Sequence, residues 1–239
     1  DSSTSRGLGD VYKRQEEYGG SNFGLSGIGV VLQELGRTLT PSPLFATAVL
    51  GASLISKLGT DEQKKKYLPE IANGNLTCCF AFEEGPRHNP KISEVTAEKK
   101  GEKFLINGKK CFVVDGGFAD LIIIAAKSSK GTSLFLAQKD SKGIEVKEAK
   151  MVDSRNSANI LFTGLEINSE NVLGEIDNAQ DTIEEVLDIA RAAISAEMLG
   201  GALEAFEITV NYLKEREQFG VKIGSFQALQ HRAANMFTE

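Results

Sequence analysis

The spacing of hydrophobic and polar positions changes twice along the chain. From Gly27 to Gly74 the apolar residues recur at helical spacing, from Leu76 to about Ile167 they alternate with polar residues, and from Ala179 the helical spacing returns. This order predicts an α+β protein in which a β domain separates two helical domains. The predicted domains are 16–75, 76–170 and 171–239.

The first helical domain is predicted to contain three helices. The first apolar run is expected to end at Gly36, and a second helix, rich in small residues, is predicted over 44–58. Thr60 and Gln63, three residues apart, form the pattern of a capping box and predict the start of a third helix.

The alternating region contains seven or eight short strand-like runs, separated by turn signals about every ten residues. Many short strands at this spacing favour an antiparallel barrel or sandwich. Asn107-Gly108 lies between two of the runs and is typical of a two-residue hairpin turn, so a hairpin is expected there.

The last helical region carries one apolar stripe over roughly 35 residues, from Ile183 to Leu213. Gly200 and Gly201 lie within it, although a glycine inside a helix costs about 1 kcal/mol. Close approach of another helix would explain them. A further helix is predicted to begin near Phe226, and the helical domain is expected to be incomplete at the end of the chain.

The first fifteen residues do not fit the rest of the pattern. Residues 1–15 lack an initiator methionine and any apolar periodicity. They match neither a signal peptide nor a helix. We expect a non-native or disordered tail here, and we expect that the true N-terminus is missing.

Composition and charge argue against several classes of function. The net charge is −6 without a sustained basic run, which argues against nucleic acid as the main partner. The apolar run at 121–126 is far shorter than the roughly 20 residues that span a membrane. Three cysteines without CxxC spacing and only two histidines argue against a zinc site. Unpaired thiols suit a reducing compartment, so we expect a cytoplasmic protein.

The stretch YLKEREQFGVKIGSFQ, residues 212–227, ends a predicted helix at a glycine break. Arg216 offers forked donors that suit phosphate oxygens, Phe219 offers a ring face, and Gly220 permits close approach of a ligand. Spacing alone leaves two interpretations open. One is a helix cap followed by a solvated arginine, and the other is a ligand site that includes Gln218.

Five motifs in a fixed order carry a resemblance to a known family. They are EEYGG (16–20), GTDEQKKKYLPEIANG (59–74), INGKKCFVVDGGFAD (106–120), NVLGE (171–175) and YLKEREQFGVKIGSFQ (212–227). Each is weak alone, but the ordered set covers nearly everything from Glu16 onward and resembles the acyl-CoA dehydrogenase family. The resemblance implies an N-terminal helical domain, a central antiparallel β-barrel or sandwich domain and a C-terminal helical bundle.

The resemblance also implies a cofactor and the residues that bind it. The cofactor is FAD, held mainly by a neighbouring subunit, and the bundle arginine with the residues after it reaches the FAD diphosphate and adenine. The implied cofactor-binding residues are Arg216, Gln218, Phe219 and Gln227 in the helical domain and Phe80, Phe82, Glu83, Phe112 and Val114 in the β domain.

Asp188 and Arg191 match a pair that, in the family, contacts the CoA moiety of the substrate. The alternative from spacing alone is a surface ion pair worth well under 1 kcal/mol. The run 155–157, Arg-Asn-Ser, matches a turn that we interpret as structural.

The β-domain motif departs from the family where the family binds the flavin ring. The family usually reads FALTEPxAGSD, and this chain reads FAFEEGPRHNP at 80–90. Glu83 replaces a hydroxyl that bonds the ring, and its carboxylate would repel an anionic reduced flavin. Val114 replaces a threonine and cannot make its hydrogen bond, whereas Phe112 can still stack. We therefore expect that this β domain binds FAD poorly.

No catalytic base can be named in this chain. The family's glutamate lies late in the bundle, beyond residue 239, and a subset places it directly before the helix arginine, where this chain has Ala190. Glu84 matches a structural glutamate of the family. The catalytic residues are therefore unknown from the sequence.

The implied function is FAD-dependent α,β-dehydrogenation of an acyl-CoA thioester, with hydride transfer to flavin and an electron-transfer flavoprotein-like acceptor. TPSPLFATAVL (40–50) and FQALQHRAANMFTE (226–239) resemble the branch that acts on bulky or steroid-derived acyl-CoAs. A homo- or hetero-tetramer is expected. The alternative is a non-catalytic partner subunit that completes a neighbour's FAD site, and a third interpretation is a fragment without activity of its own.

Overall fold

The computed structural model of the chain describes residues 24–89, 91–92, 94–153 and 155–239. The predicted tail at 1–15 and the motif at 16–20 lie outside these residues. The chain divides into two compact units: Asp1–Ile28 with Ser42–Arg191, and Gly29–Pro41 with Ala192–Glu239. Helix α1, Gly24–Thr38, contributes residues to both units.

Consecutive helices precede the β domain in the first unit. A π-helix at Leu44–Gly51 continues directly into α2, Ala52–Leu58, where the pattern predicted one helix. Helix α3, Asp61–Ala72, begins at the predicted capping box, which is confirmed. The Thr60 N donates to Gln63 Oε1 at 3.0 Å, and the Gln63 N donates to Thr60 Oγ1 at 3.3 Å.

Eight strands form a single sheet in the first unit. They are β1 Cys78–Ala81, β2 Thr96–Lys100, β3 Lys103–Val114, β4 Leu121–Lys127, β5 Thr132–Gln138, β6 Ile144–Lys150, β7 Asn156–Asn168 and β8 Val172–Leu173. Their order is β6-β7-β3-β2-β4-β5-β8, with β1 beside β4. The pairings of β1 and β2 with β4 are parallel and the others are antiparallel, which confirms the predicted, mostly antiparallel β domain.

Strand β1 is covered on both faces, which explains two neighbouring buried cysteines. Cys79 belongs to the sheet core. Cys78 lies against the π-helix, where a Cβ added at Gly51 would come within 2.7 Å of the Cys78 Cβ. Burial raises the pKa of the Cys79 thiol to about 12, so this thiol stays protonated and unreactive. None of the three cysteines, all of which lie in the described part of the chain, forms a disulfide bond.

The hairpin predicted at Asn107-Gly108 is wrong. Strand β3 runs through both residues, and the turn between β2 and β3 lies at 101–102. The register of β3 against β7 shifts between Ile106 and Gly108. Gly108 has φ +129°, and a Cβ there would lie 2.8 Å from the Val95 Cα. The glycine therefore permits a bulge and a close backbone approach rather than a turn.

Two helices pack closely in the second unit. Helix α4, Gln180–Glu215, has 36 residues, as the long apolar stripe predicted, and it belongs to this unit from Ala192 onward. A Cβ at Gly200 would lie 1.9 Å from the Gln33 carbonyl oxygen, and one at Gly36 would lie 2.0 Å from the Glu197 oxygen. The close approach predicted from Gly200 is confirmed. The prediction that Gly36 ends α1 is wrong, because the helix continues past it and uses the glycine for contact.

A hairpin and a last helix follow α4. Strands β9, Glu217–Gln218, and β10, Val221–Lys222, pair antiparallel. A short 3-10 turn at Ile223–Ser225 leads into α5, Gln227–Thr238, which confirms the helix predicted near Phe226. Across the described residues, none of the helices combines the length and the apolar character needed to cross a membrane. Over the same ranges, no group of three or more His, Cys, Asp or Glu side chains is placed to hold a metal ion.

Candidate functional site

Strand β3 is irregular near its end. Its register against β7 shifts between Lys110 and Val113, so that Cys111 and Phe112 form a bulge. Phe112 has φ +49°, a left-handed conformation that costs about 1–3 kcal/mol. It is also 50% exposed. Backbone strain of this kind clusters at functional sites, so the bulge is the centre of the candidate site.

A buried ion pair fixes the backbone behind the bulge. Lys110 is fully buried, and its Nζ donates to the Phe82 carbonyl at 2.8 Å and to Glu84 Oε1 at 3.1 Å. The Glu84 carboxylate also accepts from the backbone N of Val95 and of Glu94, both at 2.9 Å. Burial lowers the pKa of Lys110 to about 8, and Glu84 opposes this effect. Glu84 therefore acts as a structural clamp, and its oxygens are engaged.

The Glu83 backbone is hydrogen-bonded to the bulge, and one of its carboxylate oxygens is buried. Its carbonyl accepts from the Cys111 N at 2.7 Å. Its Oε1 lies 2.5 Å from His88 Nδ1, and its Oε2 is buried with no hydrogen-bond partner among the residues that the structure describes. Burying a carboxylate oxygen without a partner is costly. A ligand with a hydrogen-bond donor could therefore bond the Glu83 Oε2.

Phe80 and Phe82, which the resemblance assigns to the cofactor, lie in the interior. They are 6% and 5% exposed, and their ring centroids are 5.4 Å apart. The Phe82 ring lies 6.2 Å from the His88 ring. Both phenylalanines present little surface to a ligand. Their rings contact each other, and the Phe82 ring also contacts the His88 ring.

Val114 and Ser157 lie opposite each other on β3 and β7. Val114 is 38% exposed, whereas Ser157 is 5% exposed and its Oγ has no partner within the described ranges. Two residues further along β7, the Asn159 Oδ1 accepts from the Phe112 N at 3.4 Å. Sequence reasoning interpreted Ser157 as structural and missed Asn159, because only the strand register brings either residue next to the bulge.

The turn after β3 contains a buried carboxyl group. Asp115 has φ +59° and is 8% exposed, and its N donates to the Asn156 carbonyl at 3.0 Å. Burial raises the pKa of Asp115 to about 6, with Arg155 acting in the opposite direction. The Gly117 N donates to Asn156 Oδ1 at 2.9 Å, and a Cβ at Gly117 would lie 2.7 Å from that side chain. The turn is therefore fixed to the start of β7.

The β9–β10 hairpin holds a second aromatic residue in a strained conformation. Phe219 and Gly220 form its two-residue turn, with φ +56° and +79°. Positive φ at both positions is typical of a type I′ turn, which Asn-Gly normally supplies. Phe219 is 91% exposed, and its ring meets the Phe226 ring edge-on at 6.2 Å. The Phe219 ring is thus exposed to solvent, at a turn position whose positive φ is unfavourable for phenylalanine.

The polar residues predicted to act with Phe219 are exposed. The Arg216 carbonyl accepts from the Ile223 N at 2.8 Å, while its guanidinium has no ion-pair partner in the described part of the chain. The Gln218 Nε2 donates to the neighbouring backbone carbonyl at 2.8 Å. Gln227 is the first residue of α5. The hairpin brings Arg216, Gln218 and Phe219 together at the end of α4.

On α4, the Asp188 Oδ1 and the Arg191 Nη1 form an ion pair. Their side chains are 74% and 56% exposed. This is the surface pair that spacing alone allows, and such pairs contribute little to stability. Ala190, the position of the base in a subset of the family, is 5% exposed. Contact between the pair and a substrate stays a prediction.

Three domain models match the chain in sequence order. The acyl-CoA dehydrogenase N-terminal domain matches residues 9–75, the middle domain matches 79–165, and the C-terminal domain matches 181–239. Together they follow the helical, β and helical order of the fold.

Individual proteins show the same likeness. The short-chain specific acyl-CoA dehydrogenase of Clostridium acetobutylicum is 32% identical over 232 residues, which cover 92% of this chain and 61% of the relative. A variant of the Tcur3481-Tcur3483 steroid ACAD has a TM-score of 0.87 at 32% identity, covering 100% of this chain and 64% of that chain. A glutaryl-CoA dehydrogenase from Mycobacterium smegmatis in complex with FADH2 has a TM-score of 0.91, with the same coverage, and at 23% identity shows the fold alone.

The chain spans 54 to 63% of the length of three curated relatives that it matches. The three domain models, the relatives and the observed fold agree, and they confirm the family that the ordered motifs indicated. The chain belongs to the acyl-CoA dehydrogenase family.

Proposed function

We propose that the full-length protein is an FAD-dependent acyl-CoA dehydrogenase that oxidises the Cα–Cβ bond of an acyl-CoA thioester. One observation carries the proposal. Among the described residues, the two buried side-chain oxygens without a partner are Glu83 Oε2 and Ser157 Oγ, and both flank the strained bulge at Phe112. Buried polar atoms without partners are rare and destabilising. Two such atoms next to one bulge are expected where a ligand supplies the missing hydrogen bonds.

The residues at this face fit a flavin ring in part. Phe112 can pack against a flat aromatic ring, and the Ser157 hydroxyl can bond a ring heteroatom. An ionised Glu83 only accepts hydrogen bonds, so it suits N–H groups and repels negative charge. Membership of the family supports FAD as the ligand, and FADH2 is bound by a glutaryl-CoA dehydrogenase of the same fold.

The hairpin suits the other end of the cofactor on a neighbouring subunit. The Arg216 guanidinium offers paired donors to diphosphate oxygens, and Phe219 offers a ring face to adenine. Gln218 and Gln227 can each donate and accept beside them. The exposure of these groups supports a role outside their own chain. When bound, FAD would supply the hydride acceptor, while the chain's own residues bind it, orient it and exclude water.

The remaining roles follow from the family. Asp188 and Arg191 would contact the CoA moiety, since both side chains are exposed on α4. A glutamate outside these 239 residues would remove the α-proton. Electrons would pass to an electron-transfer flavoprotein-like acceptor, and the protein would assemble as a homo- or hetero-tetramer.

Reduction of bound flavin by substrate tests the proposal. The full-length protein is purified, its FAD-to-protein ratio is measured, and it is titrated without oxygen against short, branched and steroid-type acyl-CoA thioesters. After FAD is added to saturation, we expect loss of flavin absorbance with at least one thioester, but not with the matching free acids. Retention of the oxidised spectrum with every thioester would contradict the proposal.

The Glu83 carboxylate favours a second candidate function. A fixed negative charge opposes electron-rich reduced flavin, and the carboxylate already lies 2.5 Å from His88. The chain would then be a non-catalytic subunit that contributes the Arg216 hairpin to the FAD of a catalytic partner. The two candidates differ in flavin content: the second predicts FAD in purified protein only after co-expression with a family member encoded by a neighbouring gene.

A further inference from the structure

Ser157 is a buried serine whose neighbours on both adjacent strands are apolar. Its cross-strand neighbours are Val114 on β3 and Ala149 on β6, and both are apolar. Ser157 is 5% exposed, and its Oγ lacks a partner among the described residues. Side chains alternate along a strand, and the next residue, Ala158, lies in the sheet core. Ser157 therefore faces the other side, which it shares with Val114.

Ser133 shows what a structural hydroxyl looks like in the same domain. It is fully buried, its Oγ lies 2.6 Å from the Ser128 Oγ, and it accepts from the Asp177 N at 2.7 Å. Ser157 is almost as enclosed, but among the described residues its Oγ makes neither kind of bond. Because an unpaired buried hydroxyl lowers stability, packing gives no reason for serine rather than alanine at this position.

The position of Ser157 suggests what its hydroxyl bonds. Val114, directly opposite, is two residues from the strained Phe112 and is 38% exposed, so this face of the sheet is open to a ligand next to the hydroxyl. Asn159, on the same face of β7, already bonds the Phe112 backbone. The hydroxyl thus lies next to the face that we assign to the flavin ring.

We infer that Ser157 is a further cofactor-binding residue, whose hydroxyl donates to an acceptor atom of the FAD ring and replaces the bond that Val114 cannot make. The inference rests on the proposed function. It assigns a ligand contact to a residue near the start of β7, within the run 155–157 that the sequence suggested was only structural. The free-energy cost of burying this hydroxyl in the flavin-free protein is then offset when FAD binds and accepts its hydrogen bond.

Two measurements on the full-length protein test the inference. The Tm of the flavin-free protein is measured by calorimetry, and FAD affinity by flavin fluorescence. We expect Ser157→Ala to raise Tm by roughly 2–6 °C, because it removes an unsatisfied hydroxyl. We expect the same substitution to weaken FAD binding roughly five- to twentyfold. Ser133→Ala is the matched control, with a lower Tm and unchanged FAD affinity.

The outcomes separate the inference from the proposed function. A lower Tm for Ser157→Ala would identify a structural hydroxyl and overturn the inference. An unchanged FAD affinity would also overturn it, and FAD binding by the unsubstituted protein would still support the proposed function. If the unsubstituted protein does not bind FAD at all, even in the presence of its family partner, the proposed function fails and the inference fails with it.

Discussion

Two phenylalanines of this chain occupy the same unfavourable backbone region in different surroundings. Phe112 has φ +49° in a bulge of β3 and is half exposed. Phe219 has φ +56° at the tip of the β9–β10 hairpin and is 91% exposed. The bulge is backed by the buried Lys110–Glu84 pair, whereas the hairpin tip is surrounded mostly by solvent.

The difference suggests that the two aromatics serve separate halves of one site. The buried ion pair holds the backbone behind the first strained residue, and two buried side-chain oxygens beside it have no partner within the described ranges. The second strained residue has little compensation within its own hairpin. Strain and exposed aromatic surface together are expected where another molecule completes the contact. In our account, the β-domain face of one chain and the hairpin of its neighbour bind one FAD.

The largest expected effect comes from removing the buried ion pair behind the bulge at Phe112. Lys110→Met should lower the free energy of unfolding by about 3–5 kcal/mol, because it leaves the Glu84 carboxylate buried without its cation. Lys103→Met is the control, since the exposed Lys103–Glu166 pair should contribute less than about 1 kcal/mol. Urea unfolding measures both. Equal losses in the two variants would show that the buried pair does not fix the bulge.

The next largest effect is expected from a substitution at the β9–β10 hairpin. Arg216→Ala should weaken FAD binding in the assembled protein by about 1.5–3 kcal/mol, the range for hydrogen bonds to charged groups. The β-domain stability should stay unchanged, because the guanidinium is exposed. Flavin absorbance after gel filtration and urea unfolding provide the two measurements. Full retention of FAD would remove the hairpin from the cofactor site.

A pH experiment tests the effect of burying Asp115, which lies in the turn after the bulge. The pKa of Asp115 is raised to about 6 by burial, so the folded state holds its proton more tightly than the unfolded state. Its contribution to stability is therefore lost as pH rises from about 4 to about 6. Asp115→Asn should gain about 1–2 kcal/mol over the parent between pH 4 and 7, and asparagine also tolerates a positive φ.

The control for this experiment is Asp140→Asn, which changes an exposed carboxylate. Chemical unfolding of both variants and the parent at several pH values isolates the Asp115 contribution. A pH profile of Asp115→Asn that runs parallel to the parent would contradict the assigned burial effect.

The smallest expected effect concerns strain at the hairpin tip. Phe219→Asn should raise the stability of the second unit by about 0.5–1 kcal/mol, because Asn-Gly suits the type I′ turn. Phe112→Asn should not give the same gain, since the half-buried ring also contributes packing. Thermal unfolding compares the two. A loss of stability in Phe219→Asn would show that the exposed ring is stabilised within its own chain.

Periodicity and motifs predicted much of the fold. The three-part organisation, the capping box at Thr60 and the long helix α4 all follow from local spacing, which the structure confirms. The predictions at Asn107-Gly108 and Gly36 are wrong because a glycine does not always end a segment. Gly108 permits a bulge within β3, and Gly36 permits a close helix contact within α1. Such roles depend on what lies across from the glycine, and local sequence does not contain that information.

The candidate site was less accessible from the sequence. Phe112, Val114 and Glu83 were named through the family resemblance, and the structure brings them to one bulge. The unpaired hydroxyl of Ser157 and the contact of Glu83 with His88 depend on strand register and loop path. Neither can be read from spacing, because the partners are defined only in the folded domain.

Subunit complementation tests the central claim most directly. Phe112→Asp, in which aspartate tolerates the positive φ and adds a repelling charge, disables the β-domain face, and Arg216→Ala disables the hairpin. Each variant alone should purify with little FAD. After mixed reassembly, random pairing across a two-fold interface should restore FAD to about one quarter of the sites, since one site in each mixed pair is intact. No recovery above the separate variants would contradict a site built from two chains.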